Sequence, residues 1–185
     1  MTRASIDPEL KAALAVVGGV FPPTINLAQI PFMRISYASP PREELFSGRE
    51  LDVSDFELPG YLGDTISASM VAPIGAAAQP LPTVLVFHSG GMMFGDRFSG
   101  LDTAIQWVED LGIRLITVEY RLAPEHPDPI PREDCYAALA WVDAHASELG
   151  VSRIALAGAS AGGGLAAGVA LAARDRQGPK IACLL

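Results

Sequence analysis

The middle of the chain carries the pattern of a two-stranded hairpin. Apolar and polar side chains alternate with period two over Leu51–Leu58, which is typical of a half-exposed β-strand. Pro59 and Gly60 then provide a turn, and the segment Thr65–Ala72 follows. We therefore predict that the two segments pair as antiparallel strands, and that the small residues of Ala76–Pro82 form a loop.

Beyond Pro82 the pattern changes to apolar runs of strand length that alternate with longer segments of helical length. The predicted strands are Thr83–Phe87, Ile113–Val118, Arg153–Ala157 and Lys180–Leu185. The predicted helices are Leu101–Leu111, Arg132–Leu149 (ended by Gly150) and Ala161–Arg174. Strands that alternate with helices in this way indicate an α/β fold, with a mostly parallel sheet and flanking helices.

The N-terminal region is apolar and rich in proline, and we assign residues 1–45 to a covering segment and residues 46–185 to the α/β domain. Pro8 between two acidic residues, just before Leu10–Val17, predicts a helix with the proline in its first turn. From Gly18 to Pro41 the apolar residues follow no clean period, which predicts irregular structure.

An apolar stretch lies within this covering segment, at Ala12–Phe21. Ten residues are too few for a membrane-spanning helix. A secretory signal is an alternative interpretation, but Asp7 and Glu9 stand where such a signal carries positive charge. An amphipathic or covering helix is the preferred prediction.

Composition narrows the class of protein. The chain has 185 residues, of which 50% are hydrophobic and 18% charged, enough for one sizeable core. Its net charge of −8 argues against nucleic-acid binding, and no basic run indicates a membrane surface. Cys135 and Cys183 lie far apart, which favours free thiols in a reducing, cytoplasmic compartment, with one disulfide as the alternative. The three histidines form no ligand-spaced cluster, so no metal is expected.

A serine flanked by glycines stands between a predicted strand and a predicted helix. The sequence is Gly158-Ala159-Ser160-Ala161-Gly162. A turn this sharp strains the serine backbone, and glycines two positions away on either side avoid a clash. The hydroxyl then projects above the sheet at the N-terminus of a helix, whose amides favour negative charge. The pattern predicts that Ser160 is a nucleophile.

The same glycines allow two other interpretations. One is a glycine-rich strand–helix turn in which the serine is incidental. The other is a dinucleotide-binding loop, since Gly158, Gly162 and Gly164 fit a variant of that pattern. Such a loop normally follows the first strand of its fold, and its following strand ends in an acidic residue, which Lys180–Leu185 lacks. The nucleophile is therefore the favoured interpretation.

A second glycine-rich segment, His-Ser-Gly-Gly at residues 88–91, ends the strand Thr83–Phe87. Acyl transfer requires N–H donors fixed at the position where the carbonyl oxygen becomes negative. Consecutive glycines leave backbone amides unobstructed. We predict that the amides of Gly90, Gly91 and Ala161 form such an oxyanion hole.

A third segment, Glu119–Pro127, is followed by Pro131–Cys135. On physical grounds it is the end of a strand and a proline-rich loop, whose charges can pair with one another. Asp134 falls near a helix start, where a negative charge is favourable. His126 is more simply a structural residue than a catalytic base.

Together these motifs resemble the hormone-sensitive-lipase-like esterases, a group of the α/β-hydrolases. His-Ser-Gly-Gly, Tyr-Arg-Leu-Ala-Pro-Glu-His-Pro and Gly-Ala-Ser-Ala-Gly-Gly occur in the order and approximate spacing of that group. The resemblance implies an α/β-hydrolase fold, truncated at its C-terminus, and ester hydrolysis through an acyl-serine, without cofactor. It implies that Ser160 is the nucleophile, that Gly90, Gly91 and Ala161 form the oxyanion hole, and that His88, which precedes the nucleophile, orients the loop.

Some residues depart from the pattern of that group. Ser89 occupies the position at which the group has its first loop glycine. Ala159 occupies the position of the usual Asp before the nucleophile, and Gly164 that of a common Asn. Beyond Ser160 the chain has no histidine, and its one acid, Asp175, is predicted to lie on or near a helix. We therefore expect this chain to be part of the catalytic domain of a longer esterase and to be inactive by itself. A non-catalytic relative, a pseudoenzyme or ligand-binding module, is the alternative.

The expected partner is a small-molecule ester, with neither nucleic acid nor a membrane span. Ester sites are mostly apolar, so apolar residues beside the predicted site should bound a cleft of acyl size. They are Phe21, Ile30, Phe32, Met33, Met92, Met93 and Phe94. The apolar strand Lys180–Leu185 would leave an unpaired edge, which predicts self-association or dependence on a separate C-terminal segment.

Overall fold

The structure is a computed structural model that describes residues 6–17, 24–76 and 79–185. The helices in these ranges are α1 Pro8–Val17, α2 Ile30–Ser36, α3 Arg42–Leu45, α4 Asp102–Leu111, α5 Ile130–Ala144, α6 Ala146–Leu149 and α7 Ala161–Asp175. The strands are β1 Leu51–Pro59, β2 Thr65–Pro73, β3 Leu81–Phe87, β4 Arg114–Val118, β5 Val151–Gly158 and β6 Ile181–Leu184. Short 3₁₀ helices occupy Leu27–Gln29 and Tyr61–Gly63.

The six strands form one sheet in the order β1-β2-β4-β3-β5-β6. β1 and β2 pair antiparallel, with Leu51 opposite Pro73 and Pro59 opposite Thr65. β2 also pairs antiparallel with β4, whereas β4, β3, β5 and β6 run parallel to one another. The predicted α/β class, the mostly parallel sheet and the N-terminal hairpin are confirmed.

Helices cover both faces of the sheet. Successive side chains of a strand point to opposite faces, so each central strand contributes to two cores. Leu85 and Phe87 of β3 belong to a core that also contains residues of α5 and α7. Val84 and Val86 belong to a second core, which contains Ile105 of α4. Burial on both faces explains why β3 is apolar throughout rather than alternating.

The covering segment contains more helix than the sequence predicts. The predicted helix near Pro8 is α1, but residues 27–36, expected to be irregular, form a 3₁₀ turn and α2. The expectation of irregular structure is therefore wrong there. α2 is too short to show a period, since it buries only Ile30 and Met33. Residues 18–23, which include Phe21, lie outside the described residues.

The helix predicted over Arg132–Leu149 is divided in two. α5 ends at Ala144, and His145 leaves the helical region with φ −104° and ψ 18°. The His145 ring stacks on Trp141 at a centroid distance of 4.2 Å, and its Nδ1 lies 2.8 Å from the Trp141 carbonyl oxygen. A side chain that satisfies one of the last helical carbonyls in this way favours a helix end. The predicted end at Gly150, with φ 63°, is observed.

The cysteines do not pair. Cys135 is buried and Cys183 exposed, and both thiols are free. In the part of the chain that the structure describes, no helix is long and apolar enough to cross a membrane. The same ranges contain no group of three or more His, Cys, Asp or Glu residues that could hold a metal ion.

β6 lies at one edge of the described sheet, where β5 is its one neighbour. Leu184 and Leu185 are 48% and 60% exposed. A groove of about 740 Å³ lies between β6 and the C-terminal half of α7. Its apolar lining residues include Ala170, Ala173, Pro179, Ile181 and Leu184. This edge combines unpaired backbone groups with exposed apolar side chains.

We expect residues 1–185 to self-associate, because an apolar sheet edge is a template for strand pairing between molecules. Size-exclusion chromatography with light scattering, over a range of protein concentrations, measures this directly. A reducing agent is needed because Cys183 is exposed. The variant Leu184→Lys/Leu185→Lys should shift the population towards monomer. A monodisperse monomer at every concentration of the unaltered chain would contradict the expectation.

Candidate active site

Ser160 lies at the sharp turn between β5 and α7. Its backbone has φ 53° and ψ −118°, a conformation that costs a residue with a side chain about 1–3 kcal/mol. The residue is exposed and its side chain makes no capping hydrogen bond to α7. The hydroxyl therefore stands at the N-terminus of a fifteen-residue helix, where the helix dipole favours negative charge.

The glycines around Ser160 allow the backbones of β5, α7 and β3 to approach one another closely. A methyl group added to Gly158 would overlap the carbonyl group of Gly162. One added to Gly162 would overlap the carbonyl oxygen of Phe87 at the end of β3. The first turn of α7 therefore lies directly against the strand that leads into the residue 88–91 segment, and both positions require glycine.

The residue 88–91 segment follows β3, and Ser160 follows the neighbouring parallel strand β5. Phe87 is the register partner of Gly158, so the two segments leave the sheet side by side. Gly90 and Gly91 have φ of 115° and 64°, in the region that favours glycine. Ser89 does not have a positive φ, so a side chain at this position adds no backbone strain.

The backbone amides predicted to bind an oxyanion are unoccupied by the protein. Within the described residues, the amides of Gly90, Gly91 and Ala161 donate no hydrogen bond. The Gly90 carbonyl instead accepts from the amides of Met93 and Phe94, at 3.0 and 2.9 Å, which closes the loop on itself.

His88 is buried, with 2% of its surface exposed. Its ring stacks on Tyr120 at 4.1 Å, and its Nδ1 lies 2.7 Å from the Ser89 carbonyl oxygen. The Tyr120 hydroxyl donates to the His88 carbonyl oxygen at 2.8 Å. Burial lowers the pKa of His88, which favours the neutral ring. These contacts fix the start of the glycine loop.

The loop after β4 is held by a buried ion pair. The Arg121 guanidinium donates two hydrogen bonds to the fully buried Asp134 carboxylate, from Nε at 2.8 Å and Nη2 at 2.7 Å. The same carboxylate accepts from the backbone amides of Arg121 and Tyr61. The prediction that charges of this segment pair with one another is confirmed for these two residues.

A second polar network holds the segment that follows the glycine loop. The Glu119 carboxylate accepts from the Arg97 amide at 3.0 Å, and Arg97 Nε donates to the Ser69 hydroxyl at 2.8 Å. Ser69 in turn donates to Asp55 at 2.6 Å. Burial raises the pKa of Glu119. Asp55 and Ser69 lie opposite each other in the predicted hairpin, but no local pattern marks the contacts of Arg97, which join segments far apart along the chain.

The covering segment contacts the loop after Gly91. Ile30 and Met33 of α2 pack with Phe94. Arg34 of α2 forms an ion pair with Glu125, with Nη2 and Oε2 2.7 Å apart. Through its hydrogen bonds, Arg34 lowers the pKa of the Glu125 carboxyl to about 2. Sequence reasoning missed Arg34. The one feature of the sequence that could have indicated its role is that it is the single cation between Gly18 and Pro41.

Of the apolar residues expected to bound a cleft, Met92 lines a cavity of about 140 Å³. The other lining residues are Ala123, Asp128, Pro131, Arg132, Gly164 and Leu165. Gly164 and Leu165 lie in the first two turns of α7, the helix that begins directly after Ser160, although Ser160 itself is not in the lining. Ile30, Met33 and Phe94 form a separate cluster, and Phe32 is 69% exposed, which is not the position predicted for it.

Two further histidines are not in the glycine loop. His145 lies between α5 and α6, before β5 begins, and Ser160 lies beyond the other end of that strand. Eight residues of strand place them roughly 26 Å apart along the sheet. His126 is half-buried in the loop after β4. Asp175 ends α7 and pairs with Arg174.

Comparison with known families agrees with this geometry. The model of a family described as having the alpha/beta hydrolase fold matches residues 84–185. The chain belongs to this α/β-hydrolase family, within the hormone-sensitive-lipase-like esterase group that the motifs resemble. The resemblance inferred from the sequence is confirmed.

Several esterases are similar to this chain. Carboxylesterase NlhH of Mycobacterium tuberculosis is 37% identical, with the match covering 98% of this chain and 56% of the relative. Human hormone-sensitive lipase is 40% identical over 92 residues, which are 49% of this chain and 9% of the lipase. The structure of a bacterial heroin esterase superposes with a TM-score of 0.78 at 38% identity, covering 97% of this chain and 56% of the other. The chain thus spans little more than half the length of relatives it matches almost throughout.

Proposed function

We propose that the chain provides the nucleophile and the oxyanion hole of a serine carboxylesterase. Ser160 is the nucleophile, and the amides of Gly90, Gly91 and Ala161 bind the oxyanion. The main support is the backbone of Ser160, whose strained turn stands beside the glycine loop through the register of β3 and β5. The names of the esterase relatives support the same class of reaction.

The reaction begins when Ser160 Oγ attacks the carbonyl carbon of the ester. A bond forms between Oγ and carbon, the carbonyl oxygen becomes negative, and a base takes the hydroxyl proton. The bond between the carbonyl carbon and the alkoxy oxygen then breaks, and the base returns its proton to the leaving alcohol. Water next attacks the acyl-serine, the base takes a proton from that water and returns it to Ser160 Oγ, and the carboxylic acid is released. Amides already pointing at the oxyanion stabilise this charge without reorganisation, and none of the three amides needs to break a hydrogen bond within the described residues.

His88 has an orienting role in this proposal. Its ring is fixed between the Ser89 carbonyl and the Tyr120 ring, and Tyr120 also holds its backbone carbonyl. The residue therefore sets the direction in which the chain enters Gly90 and Gly91. Burial disfavours the protonated ring, and within the described residues no hydrogen bond joins it to Ser160, so His88 is poorly suited to accept the proton of Ser160.

Within the described residues, no histidine side chain forms a hydrogen bond with Ser160. No histidine follows Ser160 in the sequence, and Asp175 is paired with Arg174 on the surface. We infer that the acid and base of a complete triad come from residues other than these 185. A non-catalytic relative, which binds an ester without cleaving it, is the competing function because the base is missing.

The proposal can be tested by replacing the serine with a nucleophile that depends less on a base. The variant Ser160→Cys replaces the hydroxyl by a thiol, whose pKa falls at a helix N-terminus. With 4-nitrophenyl acetate, the sulfur should take the acetyl group as a thioester, and one equivalent of nitrophenolate should leave. Nitrophenolate absorbance measures the burst, and peptide mass spectrometry locates the acetyl group.

The control must separate the chemistry of the introduced thiol from that of the native thiols, so both chains carry Cys183→Ser. Cys183 is exposed, whereas burial raises the pKa of Cys135 and suppresses its reaction. The matched control is Cys183→Ser with Ser160 retained, which should show no burst. If the Ser160→Cys chain is also unlabelled, the ligand-binding alternative is favoured.

A further inference from the structure

Arg34 joins the covering segment to two loops of the candidate site. From α2, its Nε donates to the Met93 carbonyl oxygen at 2.9 Å, and its Nη2 to the Ala123 carbonyl oxygen at 3.1 Å. Both terminal nitrogens also donate to the Glu125 carboxylate, at 2.9 and 2.7 Å. One guanidinium thus holds a residue just after the glycine loop and two residues of the loop that follows β4.

The two loops held by Arg34 contribute to the cavity at the start of α7. Met92 and Ala123 line that cavity, and the Ala123 amide donates to the Met92 carbonyl at 2.8 Å. Gly164 and Leu165 of α7, the helix that follows Ser160, also line it. Since α7 is fixed against β3, the width of the cavity depends on where the Met92–Ala123 side is held.

We propose that Arg34 is a positioning residue that sets the width of the cavity for the ester's acyl group, an inference that rests on the proposed function. At about 140 Å³, the cavity is well below the roughly 300 Å³ at which pockets for larger ligands begin. It therefore suits a short acyl chain. A shift of the Met92–Ala123 side away from α7 would admit longer chains and hold short ones less well.

The chemistry of arginine fits this role better than that of lysine. The planar guanidinium has five N–H donors in a rigid fork, and here it meets two carbonyls and a carboxylate at once. Lysine keeps the charge but cannot make these bonds together. Because exposed ion pairs contribute little to overall stability, the expected effect of losing the fork is on loop position and not on folding.

The test compares Arg34→Lys with Arg49→Lys in the Ser160→Cys/Cys183→Ser chain. Arg49 is a matched control: it follows α3, is exposed to a similar degree, and binds a carboxylate and a carbonyl, those of Glu109 and Leu45. Acylation rates are measured with the 4-nitrophenyl esters of acetate, butyrate and hexanoate. Hydrogen–deuterium exchange is measured at residues 90–94 and 121–125.

Arg34→Lys should lower the acetate rate by about tenfold or more, as small misplacements near a reacting group do, and raise the hexanoate-to-acetate ratio. It should also speed exchange in both loops, while the urea midpoint stays near that of the parent. Arg49→Lys should change neither the ratio nor the exchange. Unchanged exchange and ratio in Arg34→Lys, or equal effects of both variants, would overturn the role of Arg34. Absence of acylation in the parent chain would instead count against the proposed function, and the exchange data would still decide the role of Arg34.

Discussion

Residues 1–185, produced alone, should turn over 4-nitrophenyl acetate only slowly. Serine is a weak nucleophile at neutral pH unless a base takes its proton. An oxyanion hole and substrate binding without a complete triad leave roughly 10³–10⁴-fold acceleration over water. Complete enzymes typically reach at least about 10⁶-fold. The steady-state rate, with the uncatalysed rate subtracted, should therefore stay within the lower range, and Ser160→Ala should remove part of it.

Fast turnover that depends on Ser160 would contradict this expectation and mean that a native histidine serves as the base. The structure ranks the three candidates. His88 is buried and already contacts the Ser89 carbonyl, and His145 lies at the other end of β5. His126 is the remaining histidine, so His126→Ala is the informative second variant, with His145→Ala as its control.

Replacing Gly162 by alanine should destabilise the protein by about 3 kcal/mol, the upper end of the usual cost of overpacking. The added methyl group would overlap the carbonyl oxygens of Phe87 and His88. These are backbone atoms of a central strand and its loop, so neither can move aside without disturbing β3. Urea unfolding, followed by the circular dichroism of the helices, measures the loss of stability.

Gly164→Ala provides the matched control for Gly162→Ala. Gly164 lies two residues further along the same helix, and a methyl group there would meet no atom within 4 Å. Because alanine is the better helix former, this variant should be neutral or up to about 1 kcal/mol more stable. Equal urea midpoints for the two variants would show that the close approach of α7 to β3 does not cause the predicted loss of stability.

The parallel sheet and the turn at Ser160 could be predicted because each depends on residues close together in the sequence. The apolar run of β3 reflects burial on both faces, and Gly158 reflects a local clash with Gly162 that any side chain there would create. The contact of Gly162 with Phe87 and the register of Phe87 with Gly158 join strands that are not consecutive in the chain. Local patterns therefore predict the turn at Ser160 and the glycine loop separately, and the pairing of β3 with β5 brings them together.

The contacts of the covering segment could not be predicted in the same way. Arg34 reaches Met93 and Glu125, which are distant along the chain, and no local pattern marks such a pair. α2 was missed because a seven-residue helix with two buried positions shows no period. The break at His145 depends on a stacking contact with Trp141, which outweighs the helical preference of the residues on either side.

Because Gly162 lies against the Phe87 carbonyl, some positions around Ser160 are sterically constrained, whereas others are free to vary. The turn at Ser160 and the start of the glycine loop are in direct backbone contact, so under the proposed function a change in either should misplace the reacting atoms. Met92 and Ala123 line the cavity at the start of α7 from loops outside this contact, so a change in their size should leave the Ser160 backbone in place. New substrate preferences should therefore arise by drift at these lining positions, around an unvaried centre.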